Sequence, residues 1–165
     1  MSNELINGFE FDDCMVAIVK DKYGNVLQEH FGEDLITTAG KAAVAALILT
    51  DVAEDAFDYI AIGSGATAAN VADTTLDAEI KRAAGVGTRV TTAVTNDTAQ
   101  IVYTFSSGVP AGLNGTSTGS QAVEESGVLN ASSAGDLLCR QTFSALNIDW
   151  DAGDTLQITW KIQVS

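Results

Sequence analysis

The clearest periodic signal lies near the end of the chain. In "TLQITWKIQV" (155–164), Leu156, Ile158, Trp160, Ile162 and Val164 alternate with Thr155, Gln157, Thr159, Lys161 and Gln163. A period of two with one apolar and one polar face predicts a strand buried on one side, as in an antiparallel sandwich. Shorter β-like stretches precede it. "CMVAIVK" (14–20) and "VLQEHF" (26–31) flank a Gly-Asn turn in "DKYGN" and predict a hairpin. "TRVTTAVT" (88–95) and "AQIVYTFS" (99–106) predict a second hairpin around "NDT" (96–98), and "QAVEESGVLNA" (121–131) and "DLLCRQTFSAL" (136–146) predict strands joined by "SSAG". In "FDYIAIG" (57–63) both parities are apolar, Phe57, Tyr59 and Ala61 on one side and Ile60 and Ile62 on the other. That pattern predicts a strand covered on both faces.

One segment reads clearly as a helix. "LITTAGKAAVAALILTD" (35–51) offers Thr37 or Thr38 as N-cap, and Lys41 is the one charge inside it. Ala43, Leu47 and Thr50 fall along one side, with Val44 and Ile48 beside them, so the helix is expected to be covered by a sheet or by another subunit. "DTTLDAEIKR" (73–82) reads as a short helical turn or a bent segment, with Asp73 or Thr74 as cap, broken by "AAGVG" (83–87). About eight strands and one embedded α-helix result. The predicted fold is mainly β, an antiparallel β-sandwich of jelly-roll-like type. It forms a single domain over 14–165, preceded by an acidic arm, 1–13, that carries Phe9 and Phe11.

Composition agrees with a folded chain: of 165 residues 46% are hydrophobic and 18% charged. The longest apolar run, "AAVAALIL" (42–49), is too short to cross a bilayer. "MSNELINGFEFDD" lacks a basic start followed by an apolar segment, so no signal peptide is expected and synthesis is placed in the cytoplasm. Eight basic residues against 22 acidic ones give a formal net charge of −14. Such a surface repels free nucleic acid and favours solubility. It also suits a halophilic, salt-accumulating host, where screening removes the self-repulsion.

The residue types that carry chemistry are few. "GSGATA" (63–68) has the look of a phosphate loop, but position 68 is Ala where the dinucleotide fingerprint needs Gly, and no GK[ST] follows. No basic residue occurs between Lys41 and Lys81 to meet a phosphate. The stretch is expected to be a corner between strand and loop. His30 is the one histidine, read as a surface or satisfied residue at a strand end, and no nucleophilic triad is assembled around it. Asp149, Asp151 and Asp154 in "NIDWDAGD" resemble half of a calcium loop without its closing Glu, and read as a solvated turn. Asp51, Glu54 and Asp55 are placed at the helix C-terminus, where negative charge is unfavourable. Of Glu124 and Glu125, one is expected to face inward, with Arg140 or Arg89 as its buried partner. Cys14 and Cys139 read as small buried hydrophobes, with a disulfide open to them if their strands are neighbours. No catalytic, cofactor-binding or metal residue is nominated, and no enzymatic activity is expected.

Taken in order, "ITTAGKAAVAALIL", "FDYIAIGSGATAA", "DTTLDAEIKR", "VTNDTAQIVYTF" and "AVEESGVLNASSAGDLLCRQTFSALNIDWDAGDTLQITWKIQV" resemble a group of small virion structural proteins of tailed bacterial and archaeal viruses. The resemblance spans roughly residues 35–165. It implies a β-rich structural protein without catalysis, of tail-fibre or capsid-decoration type. The chain has no collagen-like or coiled-coil shaft, which favours a compact module on a shell. The resemblance implies a capsid decoration protein that binds and stabilises the major capsid lattice. By analogy it implies a homotrimer, with the arm or the apolar helix supplying contact. A tail-fibre or receptor-binding module is the other reading, with the Gly-, Ser- and Thr-rich loop 107–120 as its tip. Neither free nucleic acid nor membrane is an expected partner.

Overall fold

The computed structural model describes residues 11–33, 35–49, 53–107 and 119–164. In chain order the elements are β1 (Phe11–Lys20), β2 (Val26–Glu33), β3 (Leu35–Ile36), α1 (Thr38–Leu47), β4 (Tyr59–Gly63), β5 (Glu79–Ala84), β6 (Val86–Val90), β7 (Thr98–Phe105), β8 (Ser120–Leu129), β9 (Leu137–Asp149) and β10 (Thr155–Val164). They build two five-stranded sheets, β2-β1-β10-β7-β6 and β3-β9-β8-β4-β5. Every pairing is antiparallel. The fold is an antiparallel β-sandwich with one helix among the described residues. Its first strands pair with its last, β1 with β10 and β3 with β9.

Alternation decides which side chains go inside. Leu156, Ile158 and Trp160 of β10 are fully buried, as are Met15, Ala17 and Val19 of β1, and they meet Ile60, Ile62, Val128 and Cys139 of the other sheet in one core. Burying an indole N–H needs an acceptor. Trp160 Nε1 donates to Ser126 Oγ at 3.2 Å, and that hydroxyl donates to the Ala61 carbonyl at 2.8 Å. One sheet thus satisfies the other's buried donor.

The structure departs from expectation at several places. The described residues hold ten strands, not eight. The N-cap is Thr37, one of the two expected: its N–H donates to the Leu138 carbonyl at 2.9 Å and its hydroxyl donates to the Leu137 carbonyl, which keeps Leu35–Ile36 extended up to the cap. Thr37 then accepts from Gly40 N at 2.9 Å and α1 begins at Thr38. A Cβ at Gly40 would fall within 3.0 Å of the Leu138 backbone, so the helix is seated directly on β9. The helix is also covered less than expected. Gly40 and Ala43 are its buried residues, while Leu47, Ile48 and Leu49 are 44%, 75% and 54% exposed.

Of the two readings of 73–82, a helical turn or a bent segment, the helical one fails: the segment is a loop followed by β5. "AAGVG" does not break a helix; it turns a corner of the sandwich. β5 and β6 belong to different sheets, and the single residue between them, Gly85, donates to the Asp58 carbonyl at 2.7 Å. A Cβ there would lie 2.5 Å from Ile101 Cγ2, so the corner has no room for a side chain. β6 ends at Val90, short of the expected 95. Residues 92–94 instead fold back so that their N–H groups donate to the Asp97 carboxylate at 2.8–2.9 Å. β1 starts at Phe11, inside the segment read as an arm, and residues 1–10, Phe9 among them, lie outside the described residues. So do 108–118 of the loop 107–120.

Candidate functional site

Gly63 ends β4 directly opposite Glu125 of β8. Register shifts flank the pair, between Ile62 and Gly63 on one side and between Val123 and Glu125 on the other. Such bulges re-aim a side chain, and here Glu125 is fully buried beneath the loop that runs from Ser64 to Ala78. Its carboxylate accepts from three backbone N–H groups of that loop: Gly65 at 3.0 Å, Ala78 at 2.7 Å and Asp77 at 3.0 Å. A Cβ on Gly65 would lie 2.5 Å from Glu125 Oε1. The Gly-Ser-Gly stretch is therefore an anion cradle, and the anion is the protein's own carboxylate.

Arg140 of β9 completes the cluster. Its Nε donates to Glu125 at 2.8 Å, one terminal nitrogen to Asp73 at 2.7 Å and the other to the Thr67 carbonyl at 3.0 Å. Burial opposes the charge on Arg140, but the hydrogen bonds to Asp73 and Glu125 outweigh it and hold its pKa above the ordinary value. Burial likewise raises Asp73, and the Asn70 N–H and the Arg140 guanidinium more than reverse that, leaving it below 3.8. Leu76 packs beside this cluster with Ala61, Leu129 and Leu137, a small second core on the outer face of the sheet. Chemically, the arrangement clamps a long loop to the sandwich. Of the two partners weighed for the inward Glu, Arg140 is the one; Arg89 lies on β6, at the edge of the other sheet.

Asp149, Asp151 and Asp154 fold into a turn that uses carboxylates on its own backbone. Asp149 accepts from the N–H groups of Asp151 and Ala152, both at 3.1 Å, and Asp154 accepts from Asp149 N–H at 3.1 Å. Among the described residues no group of three or more His, Cys, Asp or Glu could hold a metal ion. Glu54 and Asp55 are not at a helix end, since α1 stops at Leu47; Glu54 accepts from the Asn130 side chain at 2.6 Å, and Asp51 lies outside the described residues.

His30 lies within β2, not at its end. It is half-buried and stacks on Phe143 with ring centroids 5.1 Å apart, and its Nε2 is buried with no hydrogen-bond partner among the described residues, so of the two readings, surface or satisfied, the satisfied one fails. Burial pushes its pKa down. Cys14 is exposed on β1, contrary to expectation, and Cys139 is buried on β9 of the other sheet; the two strands are not neighbours. Lys81, which went unsuspected, is fully buried with its Nζ 4.4 Å above the Trp150 ring. Burial along β5 does not alternate, Ile80 and Lys81 both being buried, so the sequence carried no period-two signal, and "DAEIKR" has a helical look.

The remaining feature is apolar. At the end of the sandwich where β10 finishes and β7 begins, a groove of about 340 Å³ opens between α1 and the inner face of the first sheet. Val44, Leu47, Phe57, Ala99, Ile101 and Ile162 line it, and Arg89 and Asp97 stand at its polar side. Ile48 and Leu49 lie next to it along the chain and are exposed.

No family model matches the chain, and neither the curated proteins nor the solved structures supply a match. A functional reading therefore rests on the residues themselves. They divide into a polar cluster closed on itself and an apolar end left open.

Proposed function

We propose that the chain is a virion structural protein, a capsid decoration protein that binds and stabilises the major capsid lattice. The observation that carries this reading is the exposed apolar end at Leu47, Ile48 and Leu49 on an otherwise strongly acidic sandwich. Grouped apolar side chains of this size on a charged surface are contact features. Supporting it, the charged groups that could have formed a reactive site, Glu125, Arg140 and Asp73, spend their hydrogen bonds on holding a loop. A module that must sit on a repeating lattice gains from that rigidity, because little ordering is left to do on binding. The acidic surface keeps the free protein apart from its copies until assembly. On this reading the chain is made in the host cytoplasm, resides on the virion as a homotrimer, and has the major capsid protein as its partner.

Imaging of virions tests it. Lattice-wide density is the expected outcome, and shells lacking the protein should release their genome at lower temperature. Equal heat resistance with and without it would sink the decoration reading. A few copies confined to the tail would favour the receptor-binding module.

A further inference from the structure

We propose that the outer face of the first sheet is an interface between two copies of this chain, related by a two-fold axis that runs along β1. The outward side chains of this face stand in cross-strand rows. One row is Glu33, Cys14 and Lys161, on β2, β1 and β10. The next is Phe31, Val16, Thr159, Val102 and Val86, one residue from each of the five strands. Phe31 and Val86 are 63% and 69% exposed, and Val16 and Val102 are half-buried and take no part in either core. A third row is Glu29, Ile18 and Gln157.

Charge and shape within these rows select a second copy as the occupant. β1 lies between β2 and β10 in the sheet, so an axis along β1 lays β2 of one copy over β10 of the other. In the first row, Glu33 then faces Lys161 of the other copy, and Lys161 faces its Glu33. Neither makes an ion pair among the described residues. In the second row, Phe31 falls on Thr159, a small residue flanked by Val16 and Val102, so a large side chain enters a hollow. In the third, Glu29 falls on the Gln157 amide. Lys20 ends β1, and the ~30° crossing of packed sheets swings the two Lys20 side chains apart. Three strands over about eight residues make a patch of roughly 14 Å by 27 Å, the size class of weak, reversible contacts. The net charge of −14 opposes approach at low salt. At ~0.15 M salt the Debye length of ~8 Å screens the two bodies and spares pairs in contact. The contact joins chains in pairs, leaves the end of α1 open, and does not rest on where the protein resides.

Sedimentation equilibrium of the full-length chain at ~0.15 M salt, carried to the highest soluble concentration, tests it. The expected result is a reversible monomer–dimer equilibrium. Glu33→Lys and Lys161→Glu should each weaken the dimer about tenfold or more, because each sets two like-charged pairs across the axis. The double variant, Glu33→Lys with Lys161→Glu, should restore it. Both side chains stand on the outer face, so the fold should be kept, and recovery in the double variant shows that neither change acts through misfolding. Cys14 is exposed and lies on the axis, while Cys139 is buried. A short bismaleimide should therefore join Cys14 to Cys14 in the unchanged chain, with the yield falling in Glu33→Lys. A chain that stays monomeric overturns the proposal. So does an assembly that ignores the charge reversals, or one that the double variant fails to restore.

Discussion

Two regions invert the usual rule of polar outside and apolar inside. Under the loop 64–78, Glu125 is fully buried and Arg140 is 2% exposed, an ion pair in the body of the protein. At the end of α1, Leu47, Ile48 and Leu49 stand in solvent. The buried pair is tolerable because its hydrogen-bonding capacity is filled: three N–H groups and Arg140 on one carboxylate, two further acceptors on the guanidinium. Among the described residues nothing comparable covers the three aliphatic side chains. The cluster is costly to disturb and does not face outward. The helix end is cheap to disturb and does. Stability and contact are thereby assigned to different places.

The contrast breaks first at Arg140. Arg140→Ala leaves Glu125 buried without its cation and should cost about 3–5 kcal/mol in urea denaturation. A loss under about 1 kcal/mol would mean that water reaches the carboxylate and the region is no different from the surface. Replacing both Arg140 and Glu125 by leucine should not restore stability, because the N–H groups of Gly65, Asp77 and Ala78 would be orphaned at about 1–3 kcal/mol each. Next in size is Gly65→Ala. Its Cβ would lie 2.5 Å from Asp77 Cβ, and the expected cost is about 1–3 kcal/mol. Ser64→Ala, one residue away and exposed, should stay within about 0.5 kcal/mol.

The cluster also shows how far sequence reasoning reached. Of Glu124 and Glu125 in a strand, one had to face inward and find a buried cation, and Arg140 was legible as one candidate. The donors were not, because Gly65 and Asp77 lie 60 and 48 residues away from Glu125 and are brought to it by the β4–β8 pairing. The glycine loop looked like an anion cradle and is one; what its spacing could not tell was that the anion is internal. β10 was legible in full because one of its faces is polar. β5 was not. Glu, Lys, Arg and Ala have good helix propensity, yet Lys81 is buried in the core, and Arg82 is held by Glu79 and by the Ala131 and Ala134 carbonyls, each at 2.7–2.8 Å. Tertiary contacts override propensity there. The open end of α1 was hidden for the opposite reason: an apolar stretch announces burial, and only the packing on Leu138 shows that one side alone is used.

A smaller effect separates the regions by pH. Asp73 is held below its ordinary 3.8 in the folded protein. A carboxyl depressed on folding adds stability above the unfolded value, and that contribution is lost as pH falls through the folded value. Stability should therefore decline below about pH 4, and less steeply in Asp73→Asn. Asp97, held well down by the N–H groups of Val94, Thr92 and Ala93, adds a decline of the same sign at the other end of the molecule. Urea midpoints at a series of acid pH values should show both Asp73→Asn and Asp97→Asn flattening the profile, each by part. A profile unchanged in Asp73→Asn would mean that Arg140 does not depend on it.

The smallest change in stability belongs to the helix end, and it should carry the largest change in association. Ile48 is 75% exposed, so Ile48→Ser should change the unfolding free energy measured in urea by no more than about 0.5 kcal/mol. On the decoration reading the same change removes an apolar side chain from the contact with the shell. Burying one such side chain is worth about 1.5–3 kcal/mol, or about tenfold or more in affinity. Repeated over a lattice, that loss should leave shells visibly under-occupied at concentrations that saturate them with the unchanged protein. Full occupancy by Ile48→Ser would move the contact elsewhere on the acidic surface. A large loss of stability would show that the helix end is packed in solution after all, and the difference between the two regions would disappear.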